Sequence, residues 1–305
     1  MTRKSVSAAV LSRSHATLEY MVYVIKGNGE QEVFKTTKLD ESLKRAGVDR
    51  KLRDVIVSHI ESELEDGMTT SEIYRHAFDM LKMHGSKPSA ARYSLKRALM
   101  ELGPSGFPFE HFVARIFEAQ GYRTETGSML RGKCAEHEVD VVAENDEEIV
   151  VCEAKFHNTP GFKSDLKVAL YVEARFRDLK ESNIGGRLGN KRARYILITN
   201  TKFTRNARDF VSCNGGFELI AWSYPHEGNL EALIEQTGLH PITCLTTLSK
   251  NEKQQLMRDG YVLCRAVKGN GELLRRIGVT GTKATDVLHE AEKLCVPMTP
   301  EMVVH

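Results

Sequence analysis

The stretch HEVDVVAENDEEIVVCEAKFH, residues 137–157, decides how the middle of this chain is read. Two apolar runs flank the polar triplet Asn145-Asp146-Glu147. Short apolar runs bounded by turn residues read as strands, and a tight turn makes them neighbours. Each run carries charge where a buried strand is apolar: Asp140 inside Val139-Asp140-Val141-Val142, then Glu153 and Lys155 after Ile149-Val150-Val151-Cys152. Ionised groups in such places are costly unless paired or metal-bound. Residues two apart on a strand share a face, so Glu153 and Lys155 point the same way. With a hairpin turn over 144–147, Asp140 lies across the ladder from residues 151–153, and its carboxylate and that of Glu153 meet at one spot.

Two converging carboxylates repel unless a cation stands between them, and oxygen ligands favour Mg²⁺ or Mn²⁺. A lysine beside such a site stabilises charge developing on a phosphate, or helps orient and deprotonate water. These parts suit metal-assisted phosphodiester hydrolysis. Glu110, early in the preceding helical stretch, offers a third carboxylate. A D…ExK spacing alone is common in charged proteins, and a core ion pair explains Glu153 and Lys155 equally well. The order of helix acid, strand acid, turn, apolar strand and E-x-K favours the hydrolytic site.

Around this hairpin the pattern alternates. Phe109, Phe112, Val113, Ile116 and Phe117 form a helical stripe ended by Gly121, a long helix covers about 163–182, and Gly185-Gly186 marks a loop. RYILITN (194–200) reads as a strand, RNARDFVSC (205–213) as a helix and FELIAWS (217–223) as a strand. The order α-β-β-α-β-α-β predicts an α/β unit with a mixed sheet. Gly103-Pro104-Ser105-Gly106-Phe107-Pro108 breaks it from what precedes. There MVYVIK and QEVF, joined across Gly27-Asn28-Gly29, predict a hairpin whose Asn-Gly pair accepts positive φ. Four helical stretches follow. Leu39, Leu43 and Ala46 mark the first; Leu52, Val55, Ile56, His59, Ile60 and Leu64 mark the second. The third starts on a capping box, Thr69 with Glu72, and the fourth runs 88–103. Residues 1–18 read as a flexible basic tail, and 240–297 as a small helical unit with an unstructured end after Pro297. The five residues Lys26-Gly27-Asn28-Gly29-Glu30 recur at 268–272, a coincidence of two turn dipeptides.

Composition excludes several classes. The 43 Lys+Arg against 41 Asp+Glu and 41% hydrophobic residues describe neither a disordered chain nor a histone-like polycation. No apolar run is long enough to cross a membrane, and the first residues lack the apolar core of a signal peptide. Six dispersed cysteines form no CxxC pair, which argues against a disulfide framework or zinc ribbon and for a reducing cytoplasm. No Walker A loop occurs, and the chain is too short for a reductase barrel.

Residues 105–226 resemble the Mrr-like restriction endonuclease group of the PD-(D/E)xK nuclease superfamily, through FPFEHFVARIFEAQGYRTE, the 137–157 stretch and RYILITNTKFTRNARDF. The resemblance implies Asp140 and Glu153 as metal ligands, Lys155 as the catalytic lysine and Glu110 as a supporting helix acid. Val139 replaces the usual Pro, Glu153 stands where the group often has Gln, and Lys133–Glu138 replaces a Gly-rich lead. His137 and His157 flank the motif.

Residues 20–102 resemble the ATP-cone domain, an allosteric nucleotide sensor. The run Val24-Ile25-Lys26-Gly27-Asn28-Gly29-Glu30-Gln31-Glu32-Val33-Phe34, Lys38-Leu39 after it, and Asp66-Gly67-Met68-Thr69-Thr70-Ser71-Glu72-Ile73 carry the likeness. It implies that Val24, Lys26, Glu32, Lys38, Leu39 and Thr70 line a site for ATP or dATP, with Gly27 standing where an arginine is usual. It implies a binding switch and does not imply ATP hydrolysis. Between Arg187 and Arg208 lie Arg187, Lys191, Arg192, Arg194, Lys202, Arg205 and Arg208 with no acid among them, a run suited to DNA phosphates. Ile277–Ala284 is loosely similar to helix-hairpin-helix turns.

The expectation is a cytoplasmic, Mg²⁺-dependent DNA endonuclease under nucleotide control, with three parts over 19–103, 105–228 and 240–297. Cutting both strands needs two sites, which a homodimer or higher homo-oligomer supplies. The rival readings are a nucleotide-responsive DNA-binding protein with a relic nuclease fold, and a nuclease for branched DNA or RNA.

Overall fold

The computed structural model describes residues 21–103 and 106–297; the expected basic tail and the segment after Pro297 lie outside these residues. Strands β1 (Tyr23–Ile25) and β2 (Gln31–Val33) pair antiparallel, with Val24 opposite Glu32. The Lys26 N–H donates to Glu30 O at 2.8 Å and the Gly29 N–H to Lys26 O at 2.9 Å, so Gly27-Asn28-Gly29 closes as a three-residue turn. In that geometry only the last residue needs left-handed backbone, and Gly29 alone takes it (φ +82). Asn28 does not share the positive φ that its Asn-Gly pairing predicts.

Helices α1 (Thr36–Arg45), α2 (Arg50–Glu63), α3 (Thr70–His84), α4 (Lys87–Tyr93) and α5 (Leu95–Met100) follow. Asp49 caps α2 by accepting from the Leu52 N–H, and the Thr69/Glu72 capping box forms at α3. Leu43, Ile56, Ile60, Ala77 and Leu81 close a small core with Val24. Val55, placed on the buried stripe of α2 by spacing, faces outward instead, 55% exposed, and His59 is half-buried. The single helix expected over 88–103 breaks at Ser94, whose hydroxyl bonds back to Ala91 O at 2.8 Å.

Helix α6 (Phe107–Ala119) takes Phe107 and Pro108 into its first turn, where a proline needs no N–H partner. Then come β3 (Arg123–Arg131), β4 (Glu136–Glu144), β5 (Glu148–Lys155), β6 (Lys163–Ser164), α7 (Leu166–Glu181), β7 (Arg192–Thr199), β8 (Lys202–Phe203), α8 (Arg205–Asn214) and β9 (Glu218–Ile220). The main sheet has the order β3-β4-β5-β7-β9, antiparallel from β3 to β5 and parallel from β5 to β9, which is the mixed sheet expected. β3 is the strand the sequence reading passes over. Its Arg-Thr-Glu-Thr-Gly-Ser content shows no apolar alternation because it is an edge strand with mostly solvated side chains.

The sheet is covered on both faces. Val172, Phe176 and Leu179 of α7 and Ala207 and Val211 of α8 pack on Ile149, Val151 and Leu197. Phe109, Phe112 and Ile116 of α6 pack on Val150, Cys152 and Ile196 of the other face. That second core continues into Leu95 and Leu99 of α5, and into the C-terminal helices α9 (Leu230–Thr237), α10 (Lys250–Arg258), α11 (Gly271–Arg276) and α12 (Gly281–Leu294). Helix α9, opening at Leu230, and the helices after it therefore share the core on this face of the sheet. It also grips the N-terminal part: Arg92 meets Glu235 at 3.3 Å, Lys87 meets Asp286 at 2.8 Å, and the Thr243 hydroxyl donates to Ala98 O at 2.7 Å. Among the described residues no helix is long and apolar enough to cross a membrane.

Candidate active site

The β4–β5 ladder pairs Val141 with Cys152, and one step further along the same register Asp140 faces Glu153. The β3–β4 ladder skips a pair at this level, where Gly127 opposite Asp140 adopts φ +62. Asp140 thus sits where regular pairing stops on both sides, and its Oδ2 accepts the Ala154 N–H at 2.7 Å. Glu153 is 2% exposed on the central strand, and Lys155, on the same face, donates to its Oε1 at 2.5 Å. The lysine carbonyl is held in turn by the Thr199 hydroxyl at 2.7 Å.

Arg175 completes the cluster, and spacing along the chain gave no hint of it. Its Nη1 donates to both Glu153 oxygens at 2.8 Å, and its other terminal nitrogen bonds to the Glu138 carbonyl. A helix signal was present: Val172, Phe176 and Leu179 are the inward positions of α7, and an arginine at 175 sits beside them.

The acids are held against their own charge. Burial pushes the Asp140 carboxyl above the ordinary aspartate range, and the neighbouring Glu153 adds to this. Glu110, in the first turn of α6, is pushed up by burial and then by Asp140, Glu138 and Glu153. Glu110, Asp140 and Glu153 therefore face one region. They do not close as tightly as three preformed ligands: among the described residues only His59, Glu63 and His76 bring three such donor atoms within 4.8 Å of one another. The donor set still suits a hard divalent cation, because it is all oxygen and the acids around Asp140 and Glu110 push both of those carboxyls up.

The flanking histidines are held by neighbouring polar side chains. His137 Nε2 lies 2.7 Å from Asp178 Oδ2. His157 is clasped by Asn200, which accepts from its N–H at 2.8 Å and donates to its carbonyl at 2.7 Å.

The basic run does not assemble at this site. Arg187 pairs with Glu125 and Glu144, and Lys191 with Glu144. Arg192 and Arg194 pair with Glu148, and Arg194 also holds Glu218 at 3.0 Å. Glu148 and Arg192 begin their strands, whereas Lys155 and Thr199 end them, so Arg192 and Arg194 lie roughly 17–23 Å from Lys155 along the sheet. Arg205 opens α8 at the carboxyl end of the sheet. Lys202 on β8 is turned towards the N-terminal hairpin, within the influence of Lys26 and Lys38. Lys26 of that hairpin and Lys38 of α1 converge on Glu32, at 2.9 and 3.0 Å. Thr70 opens α3 beside it, while Val24 and Leu39 are buried beneath and Gly27 forms the turn.

Family models match residues 22–101 as an ATP cone domain, 103–223 as a restriction endonuclease domain and 240–295 as the AF1548-like C-terminal domain. An uncharacterized protein of Archaeoglobus fulgidus is 40% identical over 183 residues, covering 60% of this chain and 99% of that protein. A crystal structure described as the protein of unknown function AF1548 is 39% identical, with a TM-score of 0.48 over 63% of this chain and 98% of its own. The MspJI restriction endonuclease in complex with a 27-mer oligonucleotide is 19% identical, with a TM-score of 0.30 over 48% of this chain and 35% of its own.

Proposed function

The chain belongs to the family of the Archaeoglobus fulgidus protein and joins an ATP cone domain to a restriction endonuclease domain, and from that premise we propose that it is a divalent-metal-dependent DNA endonuclease governed by adenine nucleotide. The observation that carries the reading is the convergence of Asp140 and Glu153 with Lys155 at the carboxyl end of β5. Ligands of open α/β sheets bind outside the carboxyl ends of the strands.

Asp140 and Glu153 would hold Mg²⁺ or Mn²⁺, with Glu110 behind them, and the ion supplies Lewis-acid activation of water and phosphate. Asp140 is aimed by the Ala154 N–H, which keeps its second oxygen free. Lys155, held against Glu153, offers a hydrogen bond to the charge that builds on the phosphate. Arg175 fixes the Glu153 side chain from the other side. Arg205, at the start of α8 and 86% exposed, is placed for a DNA phosphate beside the site. Lys26, Lys38 and Thr70 would hold the phosphates of ATP or dATP above the buried Val24 and Leu39.

The test is plasmid cleavage with Mg²⁺ or Mn²⁺ by wild type, Asp140→Ala and Lys155→Ala, with and without ATP, followed by branched DNA and RNA. Loss of cleavage in both variants is expected, and cleavage that survives both removes this site. A second reading, DNA binding without hydrolysis, draws on Glu153, which already has two cationic partners. DNA binding by a wild type that cuts none of these substrates selects it.

A further inference from the structure

The turn of the nucleotide hairpin does not end in solvent. Gly27 lies so close to the nuclease domain that a Cβ there would stand 2.9 Å from the Pro160 Cβ, and a Cβ on Gly161 would stand 2.9 Å from the Asn28 Cβ. Glu30 is shared across this contact, 3.6 Å from Lys26 on its own side and 3.6 Å from Lys163 on the other. Lys163 is the β6 partner of Lys202 in β8, so the register of this short parallel ladder sets the two lysines side by side. Lys26, Lys38, Lys163 and Lys202 thus surround two carboxylates, Glu30 and Glu32.

We propose that Lys163 and Lys202 of the nuclease domain complete the phosphate site of the cone, so that the triphosphate of the nucleotide is held between the two domains. This rests on the reading of residues 22–101 as a nucleotide-binding domain. The glycine at position 27 follows from the same contact. No side chain fits between the hairpin and Pro160, so an in-domain cation there is replaced by cations from across the interface. Loss of water around its ammonium holds Lys202 below the ordinary lysine range, and Lys26 and Lys163 push it lower by a repulsion that a polyphosphate relieves. The segment gripped in this way, 156–163, begins at the residue after Lys155, and Asn200 ties it to the end of β7 at His157. Nucleotide binding therefore stiffens the loop that anchors the catalytic lysine.

The test uses the full chain, with ATP and adenosine titrated calorimetrically and hydrogen exchange followed over 156–163. Lys163→Ala and Lys202→Ala, both at exposed positions, are each expected to weaken ATP binding by about tenfold or more. Adenosine binding stays unchanged, because it lacks the phosphates. ATP is expected to protect 156–163 from exchange in wild type. Gly27→Arg, which forces the hairpin off Pro160, should still bind ATP but lose that protection. ATP affinity unchanged in both lysine variants but lost in Lys26→Ala overturns the shared site and leaves the cone as a nucleotide domain. Protection that persists in Gly27→Arg overturns the Pro160 link. A wild type that binds no ATP overturns the cone reading and this inference together.

Discussion

Strand β5 opens on one buried glutamate, Glu148, and carries another, Glu153, two residues before its end, and the two are opposites. Glu148, at the amino end, is 4% exposed and accepts from the Tyr122 hydroxyl, from Arg192 Nε at 3.1 Å and from Arg194 Nη1 at 3.1 Å. Burial alone would raise its pKa, but these donors outweigh burial and bring it down to about 2. There the two acids Glu148 and Glu218 balance Arg192 and Arg194. At the carboxyl end Glu110, Glu138, Asp140 and Glu153 gather around Lys155 and Arg175, so the acids are in excess, and Asp140 and Glu110 are pushed up. Neutralised buried charge is a structural fastening. Buried charge left in excess needs something the chain does not provide, and a divalent cation is the simplest supplement.

The largest effect that separates the two ends is on cleavage. Asp140→Ala and Lys155→Ala should each lower the rate about 10²–10³-fold or more, since in the proposed reading each removes a group at the reacting phosphate. Glu148→Gln should leave the rate per folded molecule unchanged. Equal loss of cleavage in folded Glu148→Gln would break the contrast.

The next effect is on stability and runs the other way. A carboxyl with a folded pKa of about 2 against an ordinary 4.5 stabilises the protein by about 3 kcal/mol above the unfolded pKa. That stability is lost as pH falls from about 5 towards 2. Glu148→Gln should therefore lower the melting temperature at neutral pH and flatten the acid limb of a stability-against-pH curve. An unchanged acid limb would mean that the Glu148 cluster fastens nothing.

How much of this the sequence made legible depends on how local each signal is. The β4–β5 hairpin and its charges could be read because turn, alternation and motif lie within twenty residues. The Thr69/Glu72 box could be read because both partners sit on one turn of helix. Strand β3 could not, since its order comes from the ladder with β4 and not from its own polar residues. The basic run misled for the converse reason: neighbours in sequence are spread along β7, where eight extended residues span about 25 Å. The repeated Lys-Gly-Asn-Gly-Glu shows the limit of local pattern. Its first copy is the turn between two strands, and in its second copy Asn270 caps α11. Arg175 and the Gly27–Pro160 contact belong to tertiary packing alone.

The smallest expected effect sharpens the comparison most, because it predicts a gain. Asp140 is raised above its unfolded pKa, so the folded state binds more protons than the unfolded state in that window. Stability from this group is full at low pH and lost as pH rises through the raised pKa, which leaves the ionised carboxylate a net burden at neutral pH. Asp140→Asn removes that charge and keeps an oxygen to accept the Ala154 N–H. It should stabilise the protein at pH 7–8 by about 0.5–1 kcal/mol, the usual gain when an unfavourable functional group is neutralised. Mg²⁺ should raise the melting temperature of wild type by mass action and leave that of Asp140→Asn where it is. If Asp140→Asn melts below wild type, and Mg²⁺ shifts both alike, then the carboxyl end of β5 is a satisfied cluster like the amino end, and the difference between them is not one of function.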